Sequence, residues 1–169
     1  MKNRYRWTMI LVVLAMWLCV NTPALGQKAG RLYISISETR TEHSRDSNST
    51  SKTIKVNGNA LLYEESGRRR KPLHQEVSLT DQEVSKLKRQ ISEKRLLTSY
   101  LVEYPEASGP HTSIVLSLEL KANGTESQIR ISGAMNSKEM ENDRVYQNAH
   151  AFLEEITELI DAKDESKPR

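Results

Sequence analysis

"TSIVLSLEL" (112–120) decides the fold class. Ile114, Leu116, Leu118 and Leu120 recur at every second position, with Ser117 and Glu119 between them. Successive side chains of a strand point to opposite faces, so this is a strand with one apolar face. "KANGT" (121–125) supplies the turn, because Asn and Gly tolerate positive φ, and Ile129 and Ile131 mark the return strand.

Working outward, the same period recurs upstream. In "RLYISISETR" (31–40), Leu32, Ile34 and Ile36 oppose Tyr33, Ser35 and Ser37. "TEHSRDSNSTS" (41–51) is polar and aperiodic and is expected to be a long mobile hairpin loop. "KTIKV" (52–56) and "ALLYEE" (60–65) flank the turn "NGN", and "LHQEVSL" (73–79) adds a fourth strand after "SGRRRKP" (66–72). The period then changes. Thr80 and Glu83 have the spacing of a capping box, and Val84, Leu87 and Ile91 follow at helical intervals, which predicts a helix over 81–96. "LLTSYLVEYPEASGPH" (96–111) is expected to be a connection. Val145, Ala149, Phe152, Leu153, Ile156, Leu159 and Ile160 predict a long amphipathic helix over 140–162.

The expected order is β-β-β-β-α-β-β-α. Hairpins dominate and no βαβ crossover is required, so the expected fold is α+β: a mainly antiparallel sheet of about six strands with two helices on one face.

The N-terminus reads as an export signal. Lys2, Arg4 and Arg6 precede an uncharged run of 14 residues from Trp7 to Val20. A secretory apolar region needs about 7–15 residues, whereas a membrane-spanning helix needs about 17–25. Ala24-Leu25-Gly26 suits a signal peptidase, so cleavage is expected after Gly26. Trp17 and Leu18 before Cys19 do not fit a lipoprotein signal. The organisation read from sequence is a signal over 1–26, one domain over 27–162 and a charged tail over 163–169. Cleavage lowers 25 Lys and Arg to 22, equal to the 22 Asp and Glu, so the basic character resides in the leader and gives no ground for nucleic-acid binding. It also removes the only cysteine and both tryptophans, leaving a packed core as the source of stability.

"GNALLYEE", "LTDQEVSKLKRQI", "SYLVEYPEASGPHTSIVLSLELKANG" and "QIRISG" before an amphipathic C-terminal helix together resemble small secreted bacterial α+β domains of unknown function, over about residues 52–160. That resemblance implies fold and compartment and assigns no catalytic residue.

Motifs for catalysis are missing. There is no G-x-S-x-G elbow, no cysteine in the mature chain and no recognisable triad. His43, His74, His111 and His150 lie 31, 37 and 39 residues apart, without the short spacing of a metal site, so neither metal nor cofactor is expected. Asn48 and Asn123 begin glycosylation sequons, which matter only in a eukaryotic source. Two surfaces stand out. Arg68, Arg69, Arg70 and Lys71 form the sharpest cationic cluster, suited to carboxylates or phosphates, and Tyr33 projects from the face opposite Leu32, Ile34 and Ile36. Glu103, Tyr104, Glu106 and His111 form the alternative, an acid–base loop.

The function expected from sequence is an exported, non-catalytic binding or accessory module of the bacterial envelope, periplasmic or extracellular. Its partner would be an envelope protein or an anionic polymer, with no nucleic acid, and it would meet the membrane only through the uncleaved signal. The alternatives are a small acid–base enzyme using the 103–111 loop, or a membrane-tethered structural protein if the signal is retained.

Overall fold

A computed structural model describes residues 31–165 apart from 45, 46, 68, 69, 107, 123 and 136. The segment read as a signal lies outside the described residues, and among those described no helix is long and apolar enough to cross a membrane. The strands are β1 (Tyr33–His43), β2 (Asn48–Asn57), β3 (Ala60–Gly67), β4 (Arg70–Ser78), β5 (Tyr100–Glu103), β6 (His111–Ala122) and β7 (Thr125–Ala134). The described helices are α1 (Asp81–Glu93), α2 (Lys138–Glu141) and α3 (Arg144–Glu165). The protein is α+β, with one mixed seven-stranded sheet ordered β4-β3-β2-β1-β6-β7-β5.

The apolar phase of each strand faces the helices. Ile34, Ile36, Ile54, Val56, Ile114, Leu116, Leu118, Ile129 and Ile131 are fully buried, and Leu87, Ile91, Phe152, Ile156 and Ile160 close the core from the helical side. The opposite phase, including Ser35, Ser37, Thr39, Ser117 and Arg130, is part-exposed or exposed, so the second face of the sheet is open.

Four local expectations are corrected. First, the 41–51 stretch is mostly strand: β1 runs to His43 and β2 begins at Asn48, with Thr41 opposite Ser49 and Arg40 opposite Thr50. Its hydroxyl side chains are tolerated there because they stand on the open face or beyond the end of the helical layer, where no apolar period is imposed.

Second, the 96–111 connection contains β5, which pairs in parallel with β7 from Tyr100 opposite Ile129 to Glu103 opposite Ser132. The sheet is therefore mixed and has a seventh strand. Four residues are too few for a readable period.

Third, α1 stops at Glu93. Arg95 takes a left-handed backbone (φ 54°), and the Leu96 N–H returns to Ile91 O at 3.0 Å. Side chains close the end, with Asn148 Nδ2 donating to Lys94 O and the buried Ser127 Oγ donating to Leu96 O.

Fourth, the C-terminal helix begins at Arg144, because Asp143 caps it through Val145 N (2.7 Å) and Tyr146 N (3.3 Å). Met140 belongs to the separate short α2, capped by Ser137. At its other end α3 continues to Glu165, where Lys163 reaches Ser78 O at 2.9 Å and Glu83 at 3.0 Å.

The capping box is formed as read. Glu83 Oε2 accepts from Thr80 N at 2.6 Å, and Thr80 Oγ1 accepts from Glu83 N at 3.3 Å. Burial opposes ionisation of Glu83, but Thr80 and Lys163 outweigh it and hold the carboxyl below its usual range.

Candidate functional site

The open face is built by register. Ser35, Ser37, Thr39 and Thr41 of β1 stand between Lys55, Thr53, Ser51 and Ser49 of β2 and Glu119, Ser117, Val115 and Ser113 of β6. Its centre is thus a carpet of hydroxyls rather than an apolar patch. Cross-strand pairs sit at hydrogen-bond range: Thr39 Oγ1 and Ser51 Oγ at 3.3 Å, Thr41 Oγ1 and Ser49 Oγ at 3.4 Å. Charges lie towards the flanks and pair locally, Lys55 with Glu64 at 4.0 Å and Lys121 with Glu126 at 2.8 Å. Tyr33 joins this face between Asn57 and Lys121.

At one end of the same face, β1 ends and β6 begins on a directly opposed pair, His43 and His111. Their rings stack with centroids 4.5 Å apart and an interplanar angle of 22°. His43 Nε2 is 2.8 Å from Ser113 Oγ. His111 Nδ1 is 2.7 Å from Gly109 O, and since a carbonyl only accepts, Nδ1 carries the hydrogen. His111 Nε2 is buried, makes no hydrogen bond among the described residues, and lies 3.9 Å from Glu106 Oε2.

The neighbourhood is positioned by a crossing. Because β7 lies between β5 and β6, the 104–110 connection must pass over the end of β7. Tyr104 N donates to Ser132 O at 2.7 Å, and Gly133 makes the passage possible: a Cβ there would sit 2.6 Å from Tyr104 Cβ. The phenol of Tyr104 does not join the histidines. Tyr104 (2.7 Å) and Tyr100 (2.9 Å) both donate to Asp143 Oδ2. The bond to Asp143, then burial, pushes the Tyr104 phenol upward. Burial opposes ionisation of Asp143, but the two hydroxyls and the Val145 and Tyr146 amides hold its carboxyl below the usual range.

Of the loop residues picked from sequence, the structure therefore brings Glu106 and His111 together. Glu103 is exposed on β5 opposite Ser132, and Tyr104 is committed to the start of α3. Of the cationic cluster, Arg68 and Arg69 lie outside the described residues, Arg70 begins β4, and Lys71 is exposed.

Sequence reasoning missed a second polar centre, on the helical side. Glu38 is 4% exposed, with Arg40 Nε at 2.6 Å and His150 Nε2 at 3.3 Å. His150 also faces Glu154 at 3.6 Å. These groups line a cavity of about 320 Å³ with Lys52 and Asp161. The signal was present: Glu38 continues the phase of Leu32, Ile34 and Ile36, where a charge demands a partner.

No protein-family model matches the chain, and no curated protein matches it.

Proposed function

We propose that the protein is an exported, non-catalytic binding module of the bacterial envelope, whose partner lies across the open face of the sheet. The observation that carries this reading is the hydroxyl-lined centre of that face. Stable protein–protein contacts are built around desolvated apolar or aromatic anchors. The centre of β1, β2 and β6 offers Ser35, Ser37, Thr39, Ser51, Thr53 and Ser117, with Val115 the one apolar side chain among them. Hydroxyl groups both donate and accept, so such a surface suits a hydrated polymer rich in hydroxyls, a cell-envelope glycan strand above all.

The separation of Tyr104 and Glu103 from the Glu106–His111 pair supports a non-catalytic role over the acid–base reading, because general catalysis needs its groups within hydrogen-bond reach of one reacting atom.

Co-sedimentation with isolated, insoluble cell-wall polymer tests the reading. Ser37→Glu and Ser117→Arg place charge in the middle of the face without touching the core, and each should abolish retention while leaving circular dichroism unchanged. Equal retention of wild type and both variants would overturn the assignment of this face.

A further inference from the structure

We infer that His43, His111 and Glu106 form a binding site for a divalent transition-metal ion of the zinc type. This rests on the geometry of the three residues and not on the glycan-binding reading. One ligand atom from each, a ring nitrogen from either histidine and a carboxylate oxygen from Glu106, lie within 4.8 Å of one another. Two imidazoles and one carboxylate are a donor set that zinc accepts, with a fourth position left for water or a ligand.

The state of His111 points to a cation rather than to an idle ion pair. Its Nδ1–H is spent on Gly109 O, the arrangement that fixes a metal-binding imidazole with its other nitrogen bare. That other nitrogen, Nε2, is buried without a hydrogen bond among the described residues and faces a carboxylate oxygen at 3.9 Å, too long for the two to satisfy each other. An ion between them would satisfy both. The second imidazole lies alongside the first, so a tilt of the exposed His43 ring out of the stack brings both in-plane lone pairs onto one ion, and Ser113 Oγ stands beside its Nε2 as an outer partner.

Zinc–nitrogen and zinc–oxygen bonds of about 2.0–2.2 Å place tetrahedral ligands about 3.3 Å apart, so separations that reach 4.8 Å must contract by up to roughly 1.5 Å. The flexible member can move: the Glu106 side chain is 65% exposed, on the connection that crosses β7, while the histidine backbones are held by strand register. Mixed nitrogen and oxygen donors select zinc, copper or nickel over magnesium and calcium, which prefer oxygen throughout.

The test is calorimetric titration of the full chain with Zn²⁺ alone, with native mass spectrometry for stoichiometry. One ion per chain is expected. His43→Ala, His111→Ala and Glu106→Gln should each weaken binding at least about tenfold, whereas His74→Ala should bind as wild type. Thermal unfolding should shift upward with Zn²⁺ only in chains that bind it, which also shows that each variant folds. No binding, binding unchanged in any of the three ligand variants, or full competition by excess Mg²⁺ would overturn the site.

Discussion

The Asp143 side chain accepts four hydrogen bonds, and its removal has a calculable cost. Its Oδ1 accepts from Val145 N and Tyr146 N, and its Oδ2 accepts from the Tyr100 and Tyr104 hydroxyls. Asp143→Ala deletes a helix N-cap, which costs about 0.5–2 kcal/mol. It also strands two phenols, each losing about 1 kcal/mol because both are half-buried and partly rehydrate. The sum is about 2.5–4 kcal/mol, a fall in Tm of about 8–12 °C for a domain of this size. Asp143→Asn keeps a competent cap and one carbonyl acceptor, so it should lose about half as much.

The pH dependence follows from the same contacts. A carboxyl held below its unfolded value stabilises the fold fully above that unfolded value, near pH 4, and loses the contribution as pH falls through the folded value. Wild type should therefore show a steeper acid limb than Asp143→Asn. Thermal and urea melts from pH 7 to pH 2 would measure both effects. A loss below 1 kcal/mol for Asp143→Ala, or identical acid limbs for wild type and Asp143→Asn, would refute this account of how α3 is fastened to the β5–β6 crossing.

Other outcomes follow from single contacts. Gly133→Ala drives a methyl to 2.6 Å from Tyr104 Cβ and should cost about 1–3 kcal/mol, with the His111 ring resonances moving in NMR because the crossing must shift. Arg40→Ala leaves the buried Glu38 carboxylate with His150 alone and should cost about 1–3 kcal/mol in urea unfolding, below the usual cost of breaking a buried pair since Arg40 is 40% exposed. Thr80→Ala removes the α1 cap and should cost about 1 kcal/mol, read in the same melts.

The long elements were legible in the sequence because burial on one face imposes a period. The 112–120 strand, the Thr80 capping box and the apolar stripe of the last helix all follow from it. The misread places are those where that pressure is absent. Residues 41–51 extend the sheet past the helices, so nothing required apolar alternation and a strand looked like a loop. Tyr100–Glu103 is too short to show a period and takes its place through pairing with β7.

The geometry of the candidate site was less visible still. His43 and His111 are 68 residues apart in sequence and meet only because β1 and β6 are neighbours in a sheet whose strand order the sequence does not express. Glu38 is the exception, since a charge set in the apolar phase of a strand stands out from the residue pattern alone.

The central claim is that the open face meets the partner. Hydroxyl-radical footprinting of the protein, free and mixed with cell-wall polymer, tests it most directly, because oxidisable side chains mark both sides of the sheet. Tyr33, Leu62 and Val115 report on the open face, and Val84, Tyr146 and Leu159 on the helical side. The account predicts protection of the first set with the second unchanged. Protection confined to the helical set would contradict it.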